Sequence, residues 1–289
     1  MNTKNDNKVL ACIDQSPYAE VVTDHAVWAA QRLGAPLELL HVIDRHPELG
    51  SGHDHSGAIG VNAQEKLLDE LAADDRAKAR SAREAGRVFL NRLRLRALDA
   101  GAGEVDVRQR YGALDETLAE QEAGVRLTVM GRRGASATAG QRDLGRNVER
   151  TVRALRKPIL TVTDTFKAPE RVMIAFDGGA MARKAVEMVA GSPLFRGLPI
   201  HVLMTGQPAA DGPRQMEWAR AQLQSAGFEV STAIEPGDTE TTVARAIDTH
   251  GIDLLVMGAY SHSPLRSWLR GSKTTDLLRA SRLPTLLLR

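Results

Sequence analysis

The sequence contains one cysteine, no long hydrophobic run and little excess of either charge, and each shortage excludes a class of protein. Cys12 alone cannot form an intramolecular disulfide or a cysteine-rich metal site, and in its apolar run it is expected to be a buried, inert thiol. No window approaches the roughly 18 apolar residues of a membrane-spanning helix. The formal net charge of +2 is too small to indicate a polyanionic partner. Residues 1–8 are polar and have no apolar signal core, which predicts a cytoplasmic protein.

The two halves of the chain repeat one order of segments. Val9–Asp14 and Val172–Asp177 are short apolar strands that end in an aspartate and precede a helical pattern. The later strands of the two copies, in matching order, are Leu37–Val42 and Pro199–Met204, Val105–Tyr111 and Phe228–Ile234, Arg126–Gly131 and Asp253–Gly258, and Pro158–Val162 and Pro284–Leu288. His41 and His201 are assigned to matching positions in the second strands, and duplication explains the pair.

Strands that alternate with helices at this spacing predict an α/β fold with parallel sheets and helices on both faces. Parallel neighbours require this arrangement because they need long, right-handed crossovers. The length of 289 residues also fits two domains of roughly 100–200 residues each. We therefore expect one domain over residues 1–165 and a second over residues 171–289.

The first copy carries an insertion at about residues 45–98, between its second and third strands. A loop rich in glycine and histidine, Arg45–Gly60, precedes one long helix or two consecutive helices over Ala63–Leu98. The potential ligands of this loop lack a recognised metal-site spacing, so no metal site is predicted from His46, His53, Asp54 and His55. The helix is rich in arginine, but interspersed acidic residues favour a solvated face or a contact with the other domain over nucleic-acid binding.

The segment that best indicates chemistry follows the fourth strand of the second copy. It reads Gly258-Ala259-Tyr260-Ser261, then nine residues, then Gly271-Ser272-Lys273-Thr274-Thr275, from a strand end to a helix start. Small residues let the backbone approach an anion, and a helix N-terminus adds N–H groups and a partial positive charge. In an open α/β sheet such a ligand lies outside the carboxyl ends of strands one and four, where Asp177 and Gly258 are expected.

The repeat and this spacing resemble the universal stress protein family, whose nucleotide-binding members carry Gly-x-x-Gly, nine residues, and Gly-Ser or Gly-Thr. The resemblance covers nearly the whole chain, twice. It implies two Rossmann-like (adenine nucleotide alpha hydrolase-like) domains, each a five-stranded parallel sheet of order 3-2-1-4-5, that associate through their fifth strands. Pairing Ile159–Val162 with Leu286–Leu288 would cover two apolar edges and form an internal pseudo-dimer. A further homodimer stays open.

The resemblance also implies that the second copy binds ATP, with Mg²⁺ as a candidate companion. Asp177 matches the family's aspartate near the ribose, while Ala175 and Met204 would flank the adenine. The residues assigned to the phosphate loop are Gly258, Ser261, Gly271, Ser272, Lys273 and Thr274, with His262 beside them. Ser261 stands where the family pattern usually has its second glycine.

The first copy departs from this pattern. It reads Gly131-Arg132-Arg133-Gly134, then ten residues, then Gly145-Arg146-Asn147-Val148, so both loop hydroxyls are replaced. Because an arginine side chain would fill the volume of a phosphate, we expect this degenerate site not to bind ATP. The rival hypothesis is that its arginines form a site for another anion, with Arg132, Arg133, Arg142 and Arg146 as the candidates.

Together these features favour a nucleotide-responsive stress or signalling protein with an unidentified protein partner, in which turnover is not required. One alternative is a nucleotide-free interaction module that docks through the arginine-rich insertion. Another is an enzyme: a slow ATPase using Asp177, Lys273 or His262, or an enzyme that adenylates a substrate. The chain lacks a P-loop, a Gly-x-Gly-x-x-Gly fingerprint and a His-Glu-x-x-His motif.

Overall fold

A computed structural model describes residues 7–43, 61–132, 146–206, 210–258 and 283–289. The strands are β1 (Lys8–Cys12), β2 (Leu37–Ile43), β3 (Val105–Tyr111), β4 (Val125–Gly131), β5 (Ile159–Val162), β6 (Val172–Ala175), β7 (Ile200–Thr205), β8 (Val230–Glu235), β9 (Leu254–Gly258) and β10 (Thr285–Leu288). The helices are α1 (Ala19–Leu33), α2 (Val61–Asp99), α3 (Leu114–Gln121), α4 (Arg146–Ala154), α5 (Ala180–Gly191), α6 (Gly212–Ser225) and α7 (Thr239–His250). None of these described helices has both the length and the apolar composition needed to cross a membrane.

The strands form one ten-stranded sheet in the order β3-β2-β1-β4-β5-β10-β9-β6-β7-β8. Each half therefore has the predicted order 3-2-1-4-5, and all its neighbouring strands are parallel. The two halves meet where β5 pairs with β10, and this pair is antiparallel. The α/β fold and the association through the fifth strands are confirmed.

The seam between the halves is as buried as the centre of either half. Thr285 lies opposite Thr161, and Leu286 lies opposite Leu160. All four residues are fully buried, and the Thr161 hydroxyl donates to the carbonyl oxygen of Thr285 at 3.1 Å. The two apolar edge strands thus cover each other, which removes two exposed edges that would otherwise invite pairing with other chains.

The core lies on both faces of the sheet. One face packs against α1, α2, α5 and α6, and the other packs against α3, α4 and α7. Strands covered on both faces are mostly apolar, and β1 and β9 are buried throughout, with Lys8 at the start of β1 as the charged exception. Cys12 ends β1 inside this core, and burial raises the pKa of its thiol to about 12, so the thiol stays protonated and unreactive at neutral pH.

Helix α2 is a single helix of 39 residues, and it takes the place that α6 has in the second half. The extra residues of the first copy therefore lengthen a crossover helix. Its carboxyl-terminal part packs on the sheet through Leu90, Leu93 and Ala97. Arg96 ties it to α1 by contacting Asp24 at 2.8 Å, so this arginine makes a contact within its own half and not with the other domain.

The sheet register corrects the expected match between two histidines. Leu10 and Met173 are equivalent, since each lies four positions before the aspartate that follows its strand. Leu10 pairs with Glu38, whereas Met173 pairs with His201. His201 therefore corresponds to Glu38 and not to His41. Two apolar strands of similar composition can be aligned in more than one way, and the hydrogen-bond register selects one.

His201 is buried against α7. Its ring stacks on that of His250 with 4.1 Å between centroids, and its Nδ1 forms a 2.8 Å hydrogen bond with Ser231 Oγ. Burial lowers the pKa of His201 and the neighbouring His250 lowers it further, against an opposing effect of Glu235. The imidazole of His201 is therefore neutral in the folded chain at neutral pH.

We expect the chain to lose stability as the pH falls below about 6.5, the ordinary pKa of histidine. The unfolded chain takes up the proton there, while His201 in the folded chain stays neutral to lower pH. The change His201→Asn should reduce the slope of unfolding free energy against pH between pH 7 and 5, as measured by urea unfolding. His25, whose pKa burial also lowers, would supply the remaining slope. An unchanged slope in the variant would contradict this assignment.

A buried ion pair joins the first two strands of the first copy. Lys8 Nζ lies 2.8 Å from Glu38 Oε2, and the two side chains are only 7% and 2% exposed. Arg108 Nε approaches the other carboxylate oxygen at 3.4 Å. Because His201 stands at the position of Glu38 in the second copy, this charge cluster belongs to the first copy alone.

The change Glu38→Gln should lower the free energy of unfolding by about 3–5 kcal/mol, because it leaves the buried Lys8 ammonium without its counter-charge. Glu84→Gln is the matched control, since it breaks a pair with Arg87 in which both side chains are exposed. The control should leave stability almost unchanged. Urea unfolding measures both, and equal effects of the two changes would contradict the expected role of burial.

Candidate functional site

The candidate site is the crevice where β6 and β9 end side by side. These strands are parallel neighbours, with Ile174 opposite Val256, so their carboxyl ends meet at one edge of the sheet. Asp177 follows β6, and Gly258 is the last residue of β9. After β6 the chain continues to β7 on one side, and after β9 it continues to β10 on the other. The two connections thus diverge from this crevice, which is the arrangement in which α/β sheets bind ligands.

The carboxylate of Asp177 is held in a tight turn at this crevice. Its Oδ1 accepts a hydrogen bond from the backbone N–H of Gly179 at 2.9 Å. Its Oδ2 is buried and has no hydrogen-bond partner among the described residues. Gly178, between Asp177 and Gly179, has a φ of +76°, a left-handed conformation that favours glycine.

The turn leads directly into α5, whose N-cap residue Gly179 makes no side-chain capping bond. The first N–H groups of a helix lack partners within the helix and carry a partial positive charge. The crevice therefore combines a carboxylate that presents a free acceptor with a helix N-terminus that presents donors. Such a pair suits a ligand with both hydroxyl and anionic groups.

Gly258 allows α5 to approach the end of β9. A Cβ added at Gly258 would lie 3.0 Å from the Cβ of Met181, in the first turn of the helix. This packing role was missed from the sequence, where Gly258 was assigned only to the phosphate loop. The Val-Met-Gly ending shared by both fourth strands is the feature of the sequence that could have indicated this packing role.

The two residues expected to flank an adenine lie on opposite faces of the sheet. Ala175 is buried on the face covered by α7, whereas Met204 is buried on the face covered by α5 and α6. Met204 is 4% exposed, so its side chain is part of the core. Ala175 is 6% exposed and also belongs to the core, two positions before Asp177, so the expected contact of both residues with an adenine stays a prediction.

Several predicted site residues lie outside the described residues. They are Ser261, His262, Gly271, Ser272, Lys273 and Thr274 of the second copy, Arg133 and Arg142 of the first, and His46, His53, Asp54 and His55 of the insertion loop. The side chain of Arg146 also lies outside the described part. Within that part, no group of three histidine, cysteine or acidic side chains could hold a metal ion.

The equivalent crevice of the first copy keeps the aspartate turn but differs in the residues around it. Oδ1 of Asp14 accepts the backbone N–H of Ser16 at 3.3 Å, and Cys12 stands at the position of Ala175. Arg132, which follows β4, is only 5% exposed and donates through Nη2 to the Leu283 carbonyl at 2.8 Å and to Thr285 Oγ1 at 2.9 Å. Its guanidinium thus crosses the seam to the other half.

These contacts give Arg132 a structural role at the seam, and its assignment to an anion site in the first copy stays a prediction. The guanidinium adds a donor to the Leu283 carbonyl, which also accepts from the Thr285 hydroxyl at 3.4 Å, and so ties the end of β4 to the other half. The sequence could not indicate this role, because the acceptors lie about 150 residues away in the other copy.

Known proteins match both copies of the repeat. The sequence model of the universal stress protein family matches residues 7–163 and 169–289. Universal stress protein Slr1230 of Synechocystis sp. is 31% identical over 284 residues, which cover 97% of this chain and 99% of the relative. The crystal structure of a universal stress protein from Archaeoglobus fulgidus covers 99% of this chain and 97% of that chain, with a TM-score of 0.71 and 17% identity. Another from Archaeoglobus fulgidus, in complex with dAMP, covers 41% of this chain and 97% of that chain, with a TM-score of 0.33 and 16% identity.

The change Gly258→Ala should lower the free energy of unfolding by about 1–3 kcal/mol, because the added methyl group forces α5 away from β9. Gly191→Ala is the matched control, since a Cβ at Gly191 would have no atom within 4 Å and the residue ends the same helix. Urea unfolding compares the two variants. A loss of stability as large in the control would contradict the close packing at Gly258.

Proposed function

We propose, because this chain belongs to the universal stress protein family, that its second copy, residues 171–289, binds ATP and that its first copy, residues 1–165, does not. The bound nucleotide would change the order or the partners of the second copy, so that the chain acts as a nucleotide-responsive stress or signalling protein. In this proposal nucleotide binding is sufficient for the function, and nucleotide turnover is not required.

The observation that supports this proposal most directly is the buried Oδ2 of Asp177, which has no hydrogen-bond partner in the part of the chain that the structure describes. A buried acceptor without a hydrogen bond costs roughly 1–3 kcal/mol, so its retention is explained where a ligand supplies the donor. A ribose hydroxyl is such a donor. The crevice between β6 and β9 lies where doubly wound sheets bind nucleotides, and Ala175 offers a small surface beside it for the base.

The phosphates would lie on the segment that follows Gly258. In this proposal the backbone at Gly271 and the hydroxyls of Ser272 and Thr274 donate to phosphate oxygens, with the charge of Lys273 beside them. His262 would lie next to the same loop. Mg²⁺ would be held mainly by the phosphates and water, as is usual for this ion.

The first copy lacks the features on which this proposal depends. Cys12 replaces the smaller Ala175, and the guanidinium of Arg132 is engaged in the seam. Arg146 and Val148 replace the two loop hydroxyls of the second copy. We therefore propose one nucleotide per chain.

A nucleotide-free interaction module is the second candidate, and the surface of α2 favours it. Arg80, Arg83 and Arg87 are all exposed on this helix, which is far longer than its counterpart α6. An exposed row of guanidinium groups suits an acidic protein partner. The two candidates are compatible if nucleotide binding controls that contact.

The test is a calorimetric titration of ATP with Mg²⁺ into nucleotide-free wild type and three variants. Wild type should bind one equivalent. Asp177→Ala should bind about tenfold more weakly or worse, because a hydrogen bond to a charged group contributes about 1.5–3 kcal/mol. Asp14→Ala, the same change in the first copy, should bind like wild type. Gly271→Asp should abolish binding, because its carboxylate repels the phosphates.

Phosphate release measured on the same samples should be negligible, which would separate a switch from a slow ATPase. Correctly folded wild type that binds no nucleotide would overturn the proposal and leave the interaction module. Equal losses in Asp14→Ala and Asp177→Ala would contradict the assignment of the site to the second copy.

A further inference from the structure

A cavity of about 290 Å³ lies at the seam between the two copies, on the face of the sheet that α1 and α5 cover. Its lining comes from both copies and is mostly apolar: Leu33, Leu127, Pro158, Met188, Leu194 and Leu286. Neither Asp177 nor Gly258 lines it, and Gly191 at its edge is at the opposite end of α5 from Asp177. The cavity is therefore separate from the nucleotide crevice.

The walls of the cavity are held in place across the seam. Arg32, next to the lining residue Leu33, donates through Nε to the carbonyl oxygen of Leu194 at 2.9 Å and also bonds the carbonyl of Arg196. These bonds connect the end of α1 in the first copy to the 3₁₀ turn after α5 in the second. A cavity with fixed walls is preformed, so a ligand would lose little affinity to the ordering of the protein.

Two polar residues line the cavity, and they differ in the hydrogen bonds that they make within the protein. The Oγ of Ser192 accepts the backbone N–H of Leu194 at 3.3 Å and so belongs to the turn. Arg126 is the other polar lining residue, and its half-buried side chain makes no hydrogen bond or ion pair with any residue that the structure describes. A partly buried guanidinium beside apolar side chains favours an anionic partner, best a planar carboxylate.

The internal repeat allows Arg126 to be compared with the equivalent residue of the second copy. Its counterpart is Asp253, since each lies five positions before the glycine that ends the fourth strand. Asp253 pairs with Lys167 at 2.8 Å and accepts the backbone N–H groups of Glu170 and Arg171 at 3.1 and 3.2 Å. The same position thus anchors the linker in one copy and faces a cavity in the other.

We propose that this cavity binds a small amphipathic monocarboxylate, with the carboxylate on Arg126 and the hydrocarbon part against the leucines of the two copies. One guanidinium group balances one negative charge, so Arg126 favours a monocarboxylate over a polyanion. The volume lies at the lower end of the roughly 300–1,000 Å³ of small-molecule sites, so the ligand is a short chain or a single ring. Because its walls belong to both copies, an occupied cavity stabilises the seam.

The test compares octanoate with octanamide, which has the same shape without the charge. Titration followed by calorimetry and by NMR of the full-length chain should show one saturable octanoate site. Octanamide should bind about tenfold more weakly, because it forms no ion pair with Arg126. Arg126→Gln should remove this preference by weakening octanoate to the level of octanamide. Arg110→Gln, the same change at an exposed arginine of β3, should leave both affinities unchanged.

A second variant tests the place of the hydrocarbon part. A Cβ at Gly191 would have no atom within 4 Å, so Gly191→Leu should fold and narrow the cavity. It should weaken both ligands with no loss of thermal stability. Asp177→Ala should bind octanoate like wild type, which separates this cavity from the nucleotide crevice. No saturable octanoate binding, equal binding of octanamide by wild type, or unchanged octanoate binding by Arg126→Gln would each overturn the proposal.

Discussion

The antiparallel pairing of β5 with β10 is the interaction that joins everything else in this molecule. Each five-stranded half ends in a short apolar strand whose outer edge has no partner within that half. Such an edge is a template for aggregation when it stays exposed. Joining the two edges makes one sheet of ten strands with a continuous core, in which Leu160 and Leu286 are fully buried.

The same pairing places functional parts of the two copies beside each other. It brings the end of α1 against the turn after α5, which closes the seam cavity. It also brings the acceptors at Leu283 and Thr285 within reach of Arg132. A substitution at the seam would therefore affect both halves, whereas one within the outer strands would affect mainly its own half.

The two copies share a backbone plan and use equivalent positions for different purposes. After the first strand, Asp177 has a carboxylate oxygen with no partner among the described residues, while the corresponding Asp14 belongs to a copy in which Arg146 and Val148 replace the two loop hydroxyls after the fourth strand. Early in the second strand, Glu38 forms a buried ion pair where His201 packs against His250. Duplication supplied two copies of one site, and these differences fit one copy specialised for ligand binding and the other for structural support.

What the sequence by itself determined is the fold. Apolar strands that alternate with helices predict parallel sheets with helices on both faces, because the period of the pattern and the length of the crossovers are local properties. The resemblance to the universal stress protein family supplied the strand order. The candidate crevice followed from the same pattern through Asp177 and Gly258. Only the tertiary structure decided that His201 matches Glu38, that Arg132 crosses the seam, and that Arg126 faces a cavity. These features depend on strand register and on contacts between residues far apart in the chain, and neither leaves a periodic trace in the sequence.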